Sequence, residues 1–273
     1  MSRELFALSF TRGFARQLHQ RELGDLEHGY PWESLDPSRY PAELVARARL
    51  GWTESAFNEF CTAAAMGQLV QAMGEARVPL DLWSLACRFP LEELIHIELC
   101  SRVAMRLGGG APISYDPADL VYRLDPSLTA RQRASELVVR LCCVGEALSF
   151  PLLSGAMRSA AHPLTRKVLE KIVQDEALHG KLGTWYLDWL QPELTLAERD
   201  RLAIAARHTL DTFEELWRPM QSRVSDGVTS EGFLLSDVNE LGWMEASAYQ
   251  ALARETVDRQ VREPLAAYGI RVR

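Results

Sequence analysis

Glu92-Glu93-Leu94-Ile95-His96 and Asp175-Glu176-Ala177-Leu178-His179 decide how this chain reads. Each is an acid followed by Glu-x-x-His. On a helix, residues three apart lie on one face, one above the other. Glu93 and His96 therefore aim at one point, and so do Glu176 and His179. Each pair is preceded by a carboxylate set in an apolar stretch. Glu59 lies in Ala56-Phe57-Asn58-Glu59-Phe60-Cys61, and Glu146 in Leu141-Cys142-Cys143-Val144-Gly145-Glu146-Ala147-Leu148. From 59 to 93 and from 146 to 176 the separations are 34 and 30 residues, so the order Glu … Glu-x-x-His occurs twice. Two such helix pairs, packed about a pseudo-twofold axis, make a four-helix bundle with four Glu and two His pointing inward.

The remaining sequence predicts helix almost throughout. Ala, Leu, Arg and Glu dominate, and strand-like alternation is scarce. Residues 1–50 read as an irregular N-terminal arm, turn-rich and aromatic near Gly29-Tyr30-Pro31-Trp32, with a short helix over 42–50. A long helix is expected over 52–74, its inward face running Ala56, Glu59, Thr62, Ala63, Met66, Leu69, Val70, Met73. Others are expected from Pro90 to Leu107, over 130–159 with a bend at Pro151, and from Pro163 to Leu190. Thr195-Leu196-Ala197-Glu198 has the form of a capping box that opens a fifth. A sixth is expected over 237–262, past a polar stretch around Gly227. No linker marks a boundary. The reading is one all-α domain over 1–273, with a core at 52–190 and accessory C-terminal helices at 195–264.

Composition narrows the function classes. The 273 residues are 47% apolar and 25% charged, with net charge −7, and the chain carries no basic stripe of the kind nucleic-acid binders use. No apolar run reaches the roughly 18 residues of a membrane span. The start shows no cleavage site of a signal peptide. Five cysteines (Cys61, Cys87, Cys100, Cys142, Cys143) lie in apolar stretches without a CxxC pair. They read as buried, reduced thiols of a cytoplasmic protein.

Burial of four carboxylates and two imidazoles in one place demands a counter-charge, because unpaired buried carboxylates are costly and repel one another. Two divalent ions supply it. Glu and His suit Fe, Mn or Zn. Glu59, Glu93, His96, Glu146, Glu176 and His179 are therefore the expected metal ligands. Glu54 and Glu136 compete for the same role. Glu54 sits where a first-turn acid is expected, Glu136 lies among Arg131, Arg133 and Arg140, and neither has the apolar neighbours of Glu59 and Glu146. Glu92 and Asp175 each stand four residues before a motif His, placed to hold a ligand imidazole through its free ring nitrogen. Thr62 and Ser149, one turn past Glu59 and Glu146, are candidate catalytic hydroxyls, or small residues that let helices approach. His208 reads as structural or exposed, with a third-imidazole role as the alternative. His162 reads as a helix-start residue, and His19 and His28 fall in the arm. Tyr186 and Trp189 read as core, with an electron path as the alternative. Trp83, Phe89, Phe150 and Met66 read as pocket wall or plain core.

The residues Glu59, Glu93/His96, Glu146 and Glu176/His179 resemble the ferritin-like diiron-carboxylate superfamily, whose bundles hold two metals with two Glu and two Glu-x-x-His. The resemblance covers 52–190, about half the chain. Glu59-Phe60-Cys61-Thr62, Val144-Gly145-Glu146 and Asp175-Glu176-Ala177-Leu178-His179 look like the bacterial ferritin-like domain-containing proteins, a group with no single activity. The spacing is also similar to that of the p-aminobenzoate N-oxygenases. Those carry an extra His one turn before the last motif, where this chain has Ile172.

The resemblance implies a non-haem diiron oxidoreductase. It would use two Fe ions, or Mn, and O2 to hydroxylate, desaturate, N-oxygenate or cleave a small organic substrate. No GxGxxG opens a helix after a strand, so electrons are expected from a separate ferredoxin or reductase. A homodimer is compatible with the reading. The alternatives are a ferroxidase or metal-handling protein with no organic substrate, and a Mn or Zn enzyme that hydrolyses a substrate or removes peroxide. The helices beyond 190 fit a covered substrate cavity better than a bare ferroxidase centre.

Overall fold

The structure is a computed structural model that describes residues 3–22, 26–217 and 224–273. Parts of the predicted arm, at 1–2 and 23–25, and of the predicted polar stretch, at 218–223, lie outside the described residues. In chain order the elements are β1 (Glu4–Leu5), α1 (Phe14–Glu22), α2 (Ala42–Glu75), α3 (Leu80–Ala86) and α4 (Phe89–Arg106). Next come β2 (Ser114–Tyr115), α5 (Ala130–Val138), a π-helical segment (Val139–Glu146), α6 (Ala147–Ser159) and α7 (Pro163–Leu190). The chain ends with α8 (Leu196–Trp217), the hairpin strands β3 (Val224–Ser225) and β4 (Val228–Thr229), α9 (Leu235–Glu240), α10 (Ala246–Thr256), a second π segment (Val257–Arg262) and α11 (Glu263–Ala267). Among the described residues the fold is all-α but for two short antiparallel ribbons, β1 with β2 and β3 with β4.

Local signals set several ends as expected. His162 caps α7, its Nδ1 accepting from the Leu164 amide at 3.1 Å, and Pro163 fills the first turn. Thr195 and Glu198 exchange backbone and side-chain bonds ahead of α8.

Elsewhere tertiary packing overrides the local reading. The helices predicted over 42–50 and 52–74 are one 34-residue helix, α2, with Gly51 in mid-helix. A Cβ at Gly51 would lie 2.8 Å from the Trp243 indole, so the glycine answers a close approach and does not end the helix. The arm is more regular than expected, since it contains β1 and α1. The helix predicted over 237–262 is divided into α9, α10 and the second π segment. Gly242 has φ +92°, and a Cβ there would meet Trp52 at 2.7 Å. Trp52 is buried beneath this turn, and its indole N–H donates to the Leu241 carbonyl at 2.9 Å. The 130–159 helix is continuous in sequence, but its middle carries the π segment. Of the cysteines, Cys100, Cys142 and Cys143 are buried, whereas Cys61 is half-buried and Cys87 is exposed, against the expectation of five buried thiols.

Ala130–Ser159 is long and apolar enough to cross a membrane by length and composition, although no uninterrupted apolar run is that long. Its most apolar window is 61% buried by the rest of the chain. It packs against α7, α8 and α10, which accounts for its apolarity.

Two apolar clusters fill the interior. One gathers the N-terminal part of α2 up to Ala56, the C-terminal part of α4 and the start of α7 up to Ile172. The other gathers α2 from Ala65, the middle of 130–159, α7 from Leu182, and α8 and α10. On both α2 and α7 a gap between the clusters holds the acidic residues: Glu59 on one, Glu176 and His179 on the other.

The turn at Gly242 joins α9 to this core. Gly242→Ala is expected to destabilise the protein by about 1–3 kcal/mol, through the left-handed φ and the clash with Trp52. Chemical denaturation measures this, and an unchanged midpoint would contradict the packing described.

Candidate metal centre

Four helical segments deliver the six predicted side chains to one place. Glu59 comes from the middle of α2, and Glu93 and His96 from the first half of α4. Glu146 is the last residue of the first π segment, and Glu176 and His179 lie on α7. A π turn adds one residue to the ring closed by each backbone bond and so shifts side chains around the helix axis. Here it ends on Glu146. Close approach of the facing helix accompanies it: a Cβ at Gly183 on α7 would meet the Cys143 sulfur at 2.6 Å. The spacing of Gly180 and Gly183, close to one helical turn and so on one face, was the available sequence signal for that approach.

The side chains form two overlapping groups, each able to hold a metal ion. Glu59, Glu93, His96 and Glu176 are one, and Glu93, Glu146, Glu176 and His179 the other; within each, the ligand atoms lie within 4.8 Å of one another. Glu93 and Glu176 belong to both, and their two oxygens divide between the groups. His96 Nδ1 is 3.4 Å from Glu93 Oε2 and 3.4 Å from Glu176 Oε1. His179 Nδ1 is 3.2 Å from Glu93 Oε1 and 3.2 Å from Glu176 Oε2. Glu59 serves only the His96 side, at 3.9 Å, and Glu146 only the His179 side, at 4.0 Å. Glu59 is the most accessible of the six, with 14% of its side chain exposed.

Both imidazole Nδ1 atoms, both Glu93 oxygens and Glu176 Oε2 are buried without a conventional hydrogen-bond partner among the described residues. Leaving five such atoms unsatisfied is expensive. All five point into one space, and that is the donor set a hard or borderline cation satisfies.

The acids Glu92 and Asp175 do hold the imidazoles, but crosswise. His96 Nε2 meets Asp175 on α7 at 3.0 Å, and His179 Nε2 meets Glu92 on α4 at 3.0 Å. Each acid serves the motif of the opposite helix and not the His four residues ahead of it. The reason is geometric, since an imidazole whose Nδ1 faces its own helix's Glu turns Nε2 outward to the neighbouring helix. An N–H at Nε2 leaves Nδ1 as a free lone pair aimed at the cluster. Cations complete each line one helical turn back: Lys171 contacts Asp175 at 2.6 Å, and Arg88 contacts Glu92 at 2.7 Å. Neither cation stood out as part of the site in the sequence; the Phe89 ring, read there as pocket wall or core, packs on His179 at 4.1 Å between centroids.

Electrostatics of the metal-free cluster follow from this crowding. Burial pushes the Glu59 and Glu146 carboxyls well up, and Glu93 and Glu176 respectively push further. Burial acts the same way on Glu93 and Glu176, but the two imidazoles facing them at 3.2–3.4 Å outweigh it and hold both carboxyls low. Burial alone would lower the histidines. The bond to Asp175 and the nearby Glu176 carboxylate instead raise His96, and the nearby Glu176 carboxylate and the bond to Glu92 raise His179. Without metal the cluster balances its charge with protons.

The remaining candidates separate clearly. Glu54 is exposed, and Glu136 is paired with Arg140 and Arg201, at 2.9 and 2.8 Å. The Thr62 hydroxyl donates to the Asn58 carbonyl at 3.0 Å, which commits it to its own helix, and Ser149 is half-buried on α6. His208 is exposed and stands outside both groups. His19 pairs with Glu98 at 3.0 Å. Tyr186 is buried, bonds Ser135 and packs edge-on against Trp189, as a core residue does. Phe89 and Met66 are buried, whereas Trp83 and Phe150 are partly exposed, so the four do not form one wall. Ile172 is buried in the apolar cluster.

No family model, no curated protein and no solved structure matches this chain.

Two outcomes test the site. Glu92→Ala and Asp175→Ala should each weaken metal binding about 10–100-fold, while Glu54→Ala and Glu136→Ala leave it unchanged; titration with Fe(II) or Mn(II) reads this, and the reverse pattern would mean the wrong carboxylates have been assigned. Binding should also release protons, because the raised imidazoles and the raised Glu59 and Glu146 must give theirs up. Affinity therefore rises with pH, by about tenfold per pH unit for each proton released. Flat affinity between pH 6 and 8 would contradict a proton-balanced cluster.

Proposed function

We propose that this chain is a ferritin-like protein with a dinuclear non-haem iron centre that activates O2 to oxidise a small organic substrate. The observation that carries the reading is the sharing of Glu93 and Glu176 between two ligand groups, each completed by one further Glu and one His. In this reading α2 with α4 and α5–α6 with α7 form the four core helices, related by a pseudo-twofold axis. Two divalent ions offset four carboxylates and replace the protons of the metal-free cluster. The four residues of each group would hold one ion, and a pair of irons held there would supply redox chemistry toward O2.

The chain's own residues have distinct parts. Glu93 and Glu176 would help hold both ions. Glu59 and Glu146 close the two ends. Asp175 and Glu92 fix the tautomer and aim of His96 and His179. Phe89 and the apolar clusters on either side keep water from the imidazoles. The substrate class is a small organic molecule, and a separate ferredoxin or reductase delivers electrons. Iron is favoured over manganese by the superfamily resemblance, and the ligand set accepts either.

Elemental analysis comes first, with two irons per chain expected after anaerobic Fe(II) loading. Mixing that form with O2 in a stopped-flow spectrometer should give a transient visible absorption. Glu93→Ala and Glu176→Ala are expected to abolish stoichiometric binding of two ions, since each removes an oxygen from both groups. Either variant retaining two irons with an unchanged spectrum would refute the shared-ligand assignment. Two irons with no O2 reaction would move the reading to metal handling, and zinc or manganese as purified, with no response to iron, to a hydrolase or peroxide-removing enzyme.

A further inference from the structure

The N-terminal segment crosses the outer side of α4, away from the metal centre, and a cavity of about 460 Å³ lies beneath it. That volume is within the range of small-molecule sites. Its walls are mainly apolar, with Phe6, Leu8 and Phe10 from the segment facing Ala104, Met105 and Pro112 from the body. Glu93 and His96 face the carboxylate cluster, whereas Glu98 faces this cavity.

Polar groups converge at one place in the wall. Glu98 is buried and fully engaged, its Oε1 accepting from Arg102 at 2.7 Å and its Oε2 bonded to His19 at 3.0 Å. Arg102 thus offsets the Glu98 charge, which leaves Arg16 as the net cation. Arg16 lies against the Phe10 ring at 3.7 Å, and among the described residues its one carboxylate neighbour is Glu98 at 3.9 Å, longer than a hydrogen bond. Its Nη1 is buried with no hydrogen-bond partner among the described residues. About a quarter of the Arg16 side chain stays exposed where it lines the cavity, and a ligand carboxylate is the natural complement of a guanidinium with no hydrogen-bonded carboxylate among the described residues.

The covering segment is fastened at its ends and loose between them. At one end β1 pairs with β2, Phe6 donates its amide to Ile113 at 2.8 Å, and the Phe6 ring packs on Phe57 and Phe60. At the other, α1 brings His19 to Glu98. From Ala7 to Arg12 no backbone hydrogen bond joins the segment to the other described residues. The cavity is partly open to solvent, which gives it an entrance, and that span is able to shift without breaking a ladder.

We propose that this cavity binds an apolar monocarboxylic acid, its chain under Leu8 and Phe10 and its carboxylate on Arg16. The site is separate from the metal centre, and the proposal does not depend on what that centre does. Isothermal titration calorimetry of the full chain with decanoate, and with decanol as the uncharged comparison, tests it. Decanoate is expected to bind at one site at least about tenfold tighter than decanol. Arg16→Met should reduce decanoate to the level of decanol, and Leu8→Trp, which fills the cavity from above, should abolish binding of both. Metal content should stay the same in both variants. Decanoate binding no tighter than decanol, no binding by the unaltered protein, or decanoate affinity surviving either substitution would overturn the proposal.

Discussion

Mutual repulsion among four carboxylates in a dry interior is the constraint around which the rest of this structure is arranged. Glu59, Glu93, Glu146 and Glu176 lie between two apolar clusters, where water does not screen them. Such a layer persists only if positive charge is present in the same space. Two imidazoles and their protons supply it in the metal-free chain, and a metal ion held by the cluster would do so more completely. The apolar layers serve the centre as much as the fold, since they lower the dielectric in which it works and hold the helices rigid on both sides of it.

Precision at the centre comes from helix-to-helix bonds more than from any one helix. The crossed pairs His96–Asp175 and His179–Glu92 tie α4 to α7 in both directions. A slip of one residue along either helix, about 1.5 Å, would break both at once. Lys171 and Arg88 add a cation behind each acid, but not equivalently. Lys171 contacts both oxygens of Asp175, one of which also meets His96, whereas Arg88 and His179 use different oxygens of Glu92. The two ends of the cluster therefore have different outer surroundings despite their matching ligands.

The sequence exposed the parts of this site that depend on local geometry. Glu-x-x-His is legible because a three-residue step on a helix has one outcome, and the apolar neighbours of Glu59 and Glu146 separated them from Glu54 and Glu136. Capping at His162 and Thr195 was legible for the same reason. What stayed hidden depends on contacts between distant segments. The crossed choice of partner for Glu92 and Asp175 rests on which ring nitrogen faces inward. The π turn before Glu146 is linked to how closely α7 passes at Gly183. The helices read over 42–50 and 52–74 run on as one because Trp243 packs on Gly51, and the stretch 237–262, read as continuous, is divided because Trp52 lies under the turn at Gly242. Exposure of Cys87 likewise depends on the placement of α3, and composition does not reveal it.

Shared ownership of Glu93 and Glu176 has a consequence for the order of events during synthesis. The group around His96 includes a residue from α7, and the group around His179 includes one from α4. No half of the polypeptide carries a finished set, so a growing chain that has released α2 through α6 still lacks a ligand for both. The docking of α7 is thus the earliest moment at which either set is complete. Until then a nascent chain presents scattered acids and a lone imidazole, which hold a cation far less tightly than the assembled cluster does.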